Sequence, residues 1–358
     1  MSERASPLRA GGLGEAYDPR VASAVDADAR LEQLERLVPT AGRPLPDVLA
    51  AINRDGDAYE AALDQFAADG QTEKALRIAV RLAWHWLTNG RLAEGQRRLL
   101  SLLEADGNLP AELRAEALEK AATFAFEQGA ADEARARFEE SLAAARSAGD
   151  DVTAATALGG LARCALMAGD LETARERARA CEAIHRARND EAALDFPLHI
   201  LAYADYIAGD DDRARAGFEG TLESARRLGN RRAVARELTN LCSVETRAGN
   251  LDRAQELGQE ALRTALEIKN PHLATYCVIN LAGVASARGD HERAAQLFGA
   301  GEAMMDEYGM ALNPGTAIEY ERHTERTRAA LGDEAYERAV QAGRERDRDA
   351  AAEYALSA

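Results

Sequence analysis

The sequence predicts an all-α protein built from repeated helical hairpins, and three observations support this prediction. Strong helix formers, mainly Ala, Leu, Glu and Arg, dominate the 358 residues, whereas aromatic residues make up only 5%. Breaks that contain glycine recur at a nearly constant interval through most of the chain. The same residue types also return at the same distance from each glycine, which distinguishes a true repeat from chance spacing.

Two interleaved series of breaks divide the chain into helices. The first series has members 39, 40, 40, 40 and 40 residues apart: Asn89-Gly90, Gln128-Gly129, Ala168-Gly169, Ala208-Gly209, Ala248-Gly249 and Arg288-Gly289. The second series lies midway between them: Gly149-Asp150, Asn189-Asp190, Gly229-Asn230 and Asn270-Pro271. Gly and Asn readily close a helix in the left-handed conformation, and a following Asp or Asn caps the next helix. Residues 110–308 should therefore form antiparallel helices of about 16 to 18 residues.

Large and small residues also recur at fixed positions of these hairpins. A pair on the first helix precedes the glycine by eight and seven residues: Leu82-Ala83, Ala121-Ala122, Leu161-Ala162, Leu201-Ala202, Leu241-Cys242 and Leu281-Ala282. A small residue on the second helix follows the glycine by five: Gly95, Ala134, Ala174, Ala214, Ala254 and Ala294. This pattern lets two helices approach closely and interlock. Changing the repeated leucines to alanine should cost about 2–5 kcal/mol each.

These positions resemble the signature of the tetratricopeptide repeat (TPR), which has Leu and Ala or Gly on the first helix, a Gly-Asp or Gly-Asn turn, and Ala on the second. The resemblance covers about residues 73–308, and its clearest copies are LARCALMAGDLETARERA (161–178), LTNLCSVETRAGNLDRAQELGQEAL (238–262) and NLAGVASARGDHERAAQLF (280–298). It implies a right-handed superhelical solenoid of antiparallel hairpins, here in 40-residue units without the usual closing proline. An irregular helical bundle is the alternative.

The chain divides into four predicted segments: a disordered or loosely docked N-terminus, N-terminal capping helices, TPR-like repeats and C-terminal capping helices, over residues 1–19, 20–70, 71–308 and 309–358. In the N-terminal cap we predict one helix over 21–38 and two shorter helices over 47–70, separated by a break at 40–46. In the C-terminal cap a loop at 310–315 precedes three predicted helices: 316–331, 333–343 and 347–356.

The ends carry a second, narrower resemblance, to the C-terminal helical-repeat domain of bacterial STAND regulators, which are multidomain NTPase transcription activators. It rests on EKALRIAVRLAWHWLTNGRLAEGQRRLLSLL (73–103), RAAQLFGAGEAMMDEYG (293–309) and LGDEAYERAVQAGRERDRDAAAEYAL (331–356). The family usually has Ala-Trp where Ala339-Val340 stands here. The resemblance implies a domain that senses an inducer or a partner protein. The G-x-x-x-x-G-K-[ST] motif is absent from the sequence, so we expect the chain to lack the NTPase part.

Charge and motifs argue against several other functions. A net charge of −17 repels phosphate backbones, so we expect no direct nucleic-acid binding. The sequence has neither a long uncharged apolar run nor a secretory signal, so we expect a cytoplasmic protein without a membrane span. The spacing of the cysteines and histidines, and the absence of G-x-S-x-G and H-E-x-x-H motifs, predict no metal, no cofactor and no enzymatic activity. We expect the cysteines to be small buried residues: Cys164, Cys181, Cys242 and Cys277.

The predicted binding site is the groove lined by the first helix of each hairpin, which is the concave side in TPR proteins. The resemblance places eight candidate residues there: Arg163, His199, Tyr203, Tyr206, Arg236, Thr239, Asn240 and Tyr276. The wider set of inward positions also includes Arg77, Trp84, Glu116, Thr123, Phe126, Ser243, Arg247 and Asn280. Arginine binds carboxylates through a planar fork and tyrosine is a rigid anchor, so the groove should hold an extended peptide or an acidic chain end. In the alternative interpretation, the tyrosines pack internally and the arginines pair with Glu237 or Glu245.

The sequence therefore predicts a protein- or peptide-binding scaffold that acts through its concave groove. The alternative is an effector-sensing regulatory domain of a STAND-type regulator without its NTPase and DNA-binding parts, in which a small effector is the ligand. An all-α hydrolase or transferase is a third hypothesis, which would need a deep pocket with paired polar groups. A homodimer formed through Trp84 and Trp86 is a further hypothesis, and internal packing of both tryptophans is its alternative.

Overall fold

The structure is a computed structural model that describes residues 19–38 and 46–357. This part of the chain contains seventeen α-helices, a short 3₁₀ helix and no β-strand, which confirms the predicted all-α class. Most of the predicted N-terminal segment at 1–19 and of the predicted break at 40–46 lies outside the described residues. The chain divides into two compact units, residues 1–148 and 149–358, and the boundary falls at the Gly149-Asp150 break of the second series.

Unit 1 is a succession of hairpins in which each helix packs against the next. Its helices are α1 (Pro19–Leu37), α2 (Pro46–Ala68), α3 (Thr72–Thr88), α4 (Leu92–Ala105), α5 (Ala111–Glu127) and α6 (Ala131–Ala148). The prediction of two short helices over 47–70 was wrong, because α2 runs through Gly56 without a break. The missing side chain makes room for a neighbour: a Cβ at Gly56 would lie 2.6 Å from Cε1 of the buried His85. Packing thus overrides the local preference of glycine for a turn.

Unit 2 also consists mainly of helical hairpins. Its helices are α7 (Asp151–Met167), α8 (Leu171–Ala187), α9 (Asp195–Ile207), α10 (Asp211–Arg227), α11 (Arg231–Ala248), α12 (Leu251–Glu267), α13 (Pro271–Arg288), α14 (His291–Tyr308), α15 (Pro314–Leu331), α16 (Asp333–Arg344) and α17 (Arg348–Leu356). α9 is the shortest helix from α7 to α14, since a 3₁₀ helix at Ala192–Leu194 precedes it and Pro197 occupies its first turn. α15 begins two residues before the predicted start, with Asn313 as N-cap and Pro314 as its first residue.

The turns follow the predicted chemistry closely. All six glycines of the first series have positive φ, between +70° and +86°. In the second series Asn189 and Lys269 take the left-handed position (φ 55° and 52°), so Asn270 serves as the N-cap of α13. Most of the following Asp and Asn residues accept hydrogen bonds from the first turn of the next helix: Asp150, Asp170, Asp210, Asn230, Asn270 and Asp290. Local signals therefore fix the length of nearly every helix.

The C-terminal helices close unit 2 in two ways. α16 crosses α14 so closely that a Cβ at Gly299 would overlap the backbone of Val340, and one at Gly343 the backbone of Gln296. α17 lies against α12, α13 and α14, with the Tyr354 ring beneath the guanidinium groups of Arg293 and Arg346. α15 packs against α13 and α14, and it also contacts α9. This last contact brings a C-terminal segment onto the first helices of earlier hairpins.

Candidate functional site

The first helices of three successive hairpins, α9, α11 and α13, line one side of unit 2. We call this side the inner face and define it by Tyr203 and Tyr206 on α9, Arg236 and Arg247 on α11, and Tyr276 on α13. All eight candidate residues lie in unit 2, and seven of them are on these three helices. The eighth, Arg163, is half-buried on α7, the first helix of the preceding hairpin.

Three aromatic side chains form a continuous row along α9. The ring of Tyr203 lies 5.9 Å from that of His199 and 5.7 Å from that of Tyr206, measured between centroids. The ring of Phe218 on α10 packs against all three rings, with centroid distances of 6.1 to 6.5 Å. Tyr203 is 6% exposed and Tyr206 is 3% exposed, and burial raises the pKa of Tyr206 to about 12. Both phenols are therefore neutral near pH 7, and both rings contribute packing surface.

A buried charge cluster joins α9 to α11. Arg236 binds Asp195 (2.9 Å) and Glu237 (2.7 Å), and His199 Nδ1 lies 3.1 Å from Glu237. The Asn240 amide also donates to Glu237, at 3.2 Å. Burial alone would raise the pKa of Glu237, which has no exposed surface, but His199 and Arg236 outweigh burial and lower it to about 2. Glu237 is therefore ionised at neutral pH, and Arg236, His199 and Asn240 all contact its carboxylate.

Thr239 on α11 contacts α13. Its hydroxyl donates to Ala235 O at 2.7 Å and lies 3.2 Å from Cys277 Sγ, while Asn280 Nδ2 donates to the Thr239 carbonyl at 3.1 Å. The residue is only 6% exposed. Its contacts therefore join the two helices that carry the inner face.

The chain itself covers the inner face with the segment 311–319, which comprises the loop before α15 and the first turns of that helix. The Tyr203 hydroxyl donates to Asn313 Oδ1, and the Tyr276 hydroxyl donates to the backbone carbonyl of Ala311 at 3.1 Å. Gly315 sits directly on the aromatic row, since a Cβ there would lie 2.6 Å from the Tyr203 hydroxyl oxygen. The inner face thus holds a polypeptide segment through a side-chain amide, a backbone carbonyl and a bare glycine.

Arg247 binds the acidic end of this segment. Its guanidinium lies over the Tyr206 ring, 3.9 Å from the centroid, and pairs with Asp211 (3.3 Å) and Glu319 (3.5 Å). A planar cation that stacks on an aromatic ring and faces a carboxylate is a typical recognition arrangement for acidic groups. Arg247 is 20% exposed at its side chain, so a ligand that replaced Glu319 would meet a largely desolvated charge.

A small cavity of about 20 Å³ lies beneath α15. Its polar lining comes from Ser243, Thr246, Asn280, Glu319 and His323. Burial lowers the pKa of His323 to about 4, so its imidazole is neutral at pH 7. The volume is about that of a single water molecule.

Sequence reasoning missed the covering segment and Asp195. The repeat register ends at Gly309, so nothing in the spacing placed residues 311–319 near α9. The sequence offered one local signal for this segment: Asn-Pro at 313 and 314 is typical of a helix start. The structure places that start, the N-terminus of α15, against the inner face. The sequence analysis placed Arg247 only in the wider set of inward positions. It named Glu237 only as a possible partner of the arginines.

Other sequence expectations concern groups away from this face. All four cysteines are buried, as predicted, and each is a free thiol. Trp86 is fully buried and donates to Glu60 at 2.9 Å, so it packs internally. Among the described residues no group of three His, Cys, Asp or Glu side chains is arranged to bind a metal. In the same part of the chain no helix has both the length and the apolar character needed to cross a membrane.

Comparison with known proteins agrees with this architecture. Residues 113–187 match the family profile of the tetratricopeptide repeat. No curated protein sequence matches the chain significantly. The fold is similar to that of a Rap protein complexed with competence and sporulation factor, with a TM-score of 0.60 and 14% identity over 92% of this chain and 96% of that one.

Two further solved structures share the fold. NprR in complex with its cognate peptide NprX matches with a TM-score of 0.54 and 12% identity, over 88% of this chain and 87% of that one. A STAND protein with a tetratricopeptide repeat sensor from Pyrococcus horikoshii matches with a TM-score of 0.58 and 13% identity, over 92% of this chain. The match spans 53% of that protein. The chain thus has the helical-repeat fold of tetratricopeptide-repeat proteins, and residues 113–187 carry the sequence pattern of that family.

Proposed function

We propose that this chain is a non-catalytic scaffold that binds a protein or peptide segment on the inner face of unit 2. The observation that carries the proposal is that this face already holds a polypeptide segment, residues 311–319, through Tyr203, Tyr276 and Arg247. Two phenols of this face donate hydrogen bonds, one to a side-chain amide and one to a backbone carbonyl, and a stacked guanidinium faces a carboxylate. These are the groups with which peptide-binding sites hold their ligands.

The candidate residues divide into two roles under this proposal. Tyr203, Tyr276 and Arg247 contact the bound segment, and Tyr206 supports Arg247 from below. The framework that holds α9, α11 and α13 in place comes from His199, Arg236, Thr239 and Asn240. Arg163 would extend the site toward α7. Two structural neighbours support the general role, since the Rap and NprR structures were each solved with a bound factor or peptide.

The test is selection of peptides from a random display library on the full chain, followed by titration of synthetic copies. Arg247→Ala should weaken the selected peptides by about tenfold or more, because a charge-assisted hydrogen bond contributes about 1.5–3 kcal/mol. Arg226→Ala is the matched control, since Arg226 forms an exposed pair with Glu260 on the second helices α10 and α12. Peptides that bind both variants equally well, or a library that yields no binder, would contradict the proposal.

Arg236→Ala is a poor probe of binding, although Arg236 is a candidate residue. Its removal leaves Glu237 and Asp195 without their shared cation, and an unpaired buried charge costs about 3–5 kcal/mol. Loss of binding in that variant would therefore report unfolding. Tyr276→Phe removes only one hydroxyl from a half-buried side chain and keeps the fold.

A second candidate function is the effector-sensing domain of a STAND-type regulator. The observation that favours it is the fold shared with the TPR sensor of the Pyrococcus horikoshii STAND protein, together with the similarity of residues 73–103 and 331–356 to that class. This candidate predicts that an NTPase chain co-purifies with the protein, and that an inducer changes that NTPase activity. An NTPase whose rate is unchanged by adding the purified chain would exclude it.

A further inference from the structure

α15 is held with much less apolar burial than the neighbouring helix α13. Of its eighteen residues, the buried ones are Gly315, His323 and Thr327, none of which carries a large apolar side chain. The neighbouring α13 buries eleven of eighteen, among them Val278, Ile279, Leu281 and Val284. Ile318, the large aliphatic residue near the start of α15, is 54% exposed. Because burial of apolar area dominates the stability of helices, α15 is weakly attached.

Polar contacts replace apolar burial along the length of α15. Thr327 donates to Ser286 Oγ at 2.9 Å, and Ser286 donates to the His323 carbonyl at 3.2 Å. The Tyr320 ring packs edge-on against Phe298, and its hydroxyl donates to Glu302 at 2.5 Å. The hydroxyl, carbonyl and carboxylate groups of these contacts can exchange their partners for water when α15 leaves.

The contacts at the start of α15 are those that a separate peptide could make. Asn313 offers its side-chain oxygen to Tyr203, Gly315 allows close approach to the aromatic row, and Glu319 faces Arg247. These three groups stand at fixed offsets on one helix, with Glu319 about 9 Å beyond Asn313 along the axis. A cavity of about 20 Å³ beside Glu319 shows that α15 does not fill all the space against α11 and α13.

We propose that α15 is a detachable cover, and that residues 311–319 are an internal ligand which an external partner displaces from the inner face. The partner is a polypeptide that presents the same groups: Asn or Asp as a helix N-cap, glycine two residues later and a carboxylate six residues later. This inference rests on the proposed function, because it names the partner of the same face. When the partner binds the inner face, α15, which lies between α14 and α16 in the chain, detaches and becomes exposed to solvent.

The test uses hydrogen exchange of the full chain, read by mass spectrometry, with and without a synthetic peptide of residues 310–323. The peptide carries heavy isotopes, so its fragments separate from those of the protein. Without peptide, the amides of α15 should exchange at least about tenfold faster than those of α13, through local opening. Saturating peptide should accelerate exchange in α15 further. A peptide with alanine at the positions of Asn313 and Glu319 is the matched control and should have no effect.

Two results would overturn the inference. If α15 exchanges at the same rate as α13, it is not a detachable cover. If α15 opens locally but the native peptide changes its exchange no more than the alanine peptide does, residues 311–319 are not an internal ligand. Either result leaves the proposed function standing, because that function is tested separately by library-selected peptides and Arg247→Ala.

Discussion

The side-chain hydroxyl of Tyr203 donates a hydrogen bond to Asn313, a residue 110 positions later in the chain. The same Asn313 oxygen accepts the Thr316 amide at 2.9 Å and so caps α15. One oxygen atom therefore both starts the helix and attaches it to the inner face. The cap of α15 and the attachment of the covering segment therefore depend on the same side chain.

The first prediction concerns this bond. Tyr203→Phe removes the donor and keeps the ring, and Asn313→Ala removes both the acceptor and the cap. We expect Tyr203→Phe to cost about 1 kcal/mol and Asn313→Ala about 2 kcal/mol in urea unfolding. A double-mutant cycle should give a coupling energy of about 0.5–1.5 kcal/mol. Asn270→Ala, which removes the cap of α13, is the control and should add to Tyr203→Phe without coupling. Additivity in both cycles would show that the Tyr203–Asn313 bond does not form.

The second prediction is a pH dependence set by Glu237. Its pKa is lowered from 4.5 to about 2, so this carboxylate stabilises the fold above its unfolded-state pKa and loses that effect as pH falls toward 2. Wild type should therefore lose stability between about pH 5 and pH 2 more steeply than Glu237→Gln does. At pH 7 the variant should be less stable by about 3–5 kcal/mol, because Arg236 and His199 lose their partner. Parallel pH profiles of urea midpoints would refute the assignment.

The third prediction compares two glycines. Gly343→Ala forces a methyl group into the backbone of Gln296, so the crossing of α14 and α16 must open. We expect a loss of about 1–3 kcal/mol and earlier proteolysis within α16 and α17. Gly220 is the matched control, because it lies in the exposed middle of α10, where a methyl group added to it would have no neighbour within 4 Å. Gly220→Ala should stabilise by about 0.5–1 kcal/mol, and a stabilising Gly343→Ala would contradict the crossing.

The fourth prediction concerns the repeated leucines. Leu241 and Leu281 are 3% and 2% exposed, so changing either to alanine should cost about 2–5 kcal/mol. Leu201 occupies the same repeat position but is only partly buried against the hydrophobic core. Leu201→Ala should therefore fall below that range in thermal or urea unfolding. Equal losses at 201 and 281 would mean that repeat position, rather than local burial, determines the cost.

The sequence predicted the features that short-range chemistry controls. Glycine in the left-handed position and Asp or Asn as an N-cap act within one turn, so the helix boundaries of the hairpins follow from them. Gly56 shows the limit of this reasoning, because the residue that keeps α2 continuous, His85, lies on the following helix. A glycine can mark either a turn or a close contact, and only the three-dimensional neighbours decide which.

The candidate site was predictable in composition but not in arrangement. The repeat register brought His199, Tyr203, Arg236 and Asn240 together as candidates, and these residues do lie around Glu237 and the aromatic row. It could not place Asn313 or Glu319 there, because that contact depends on how three hairpins together position α15. The position of the covering segment 311–319 therefore depends on tertiary packing, and the repeat spacing of the sequence carries no signal for it.

The measurement that tests the central claim most directly is titration of the synthetic peptide 310–323 into three full-length proteins. These are wild type, the Asn313→Ala, Glu319→Ala double variant, and that variant with Arg247→Ala added, each checked for folding by circular dichroism. We expect tightest binding to the double variant, weaker binding to wild type, whose own segment competes, and at least about tenfold loss when Arg247 is removed. No binding to the double variant, or binding that ignores Arg247, would contradict the claim that residues 311–319 act as a ligand of the inner face.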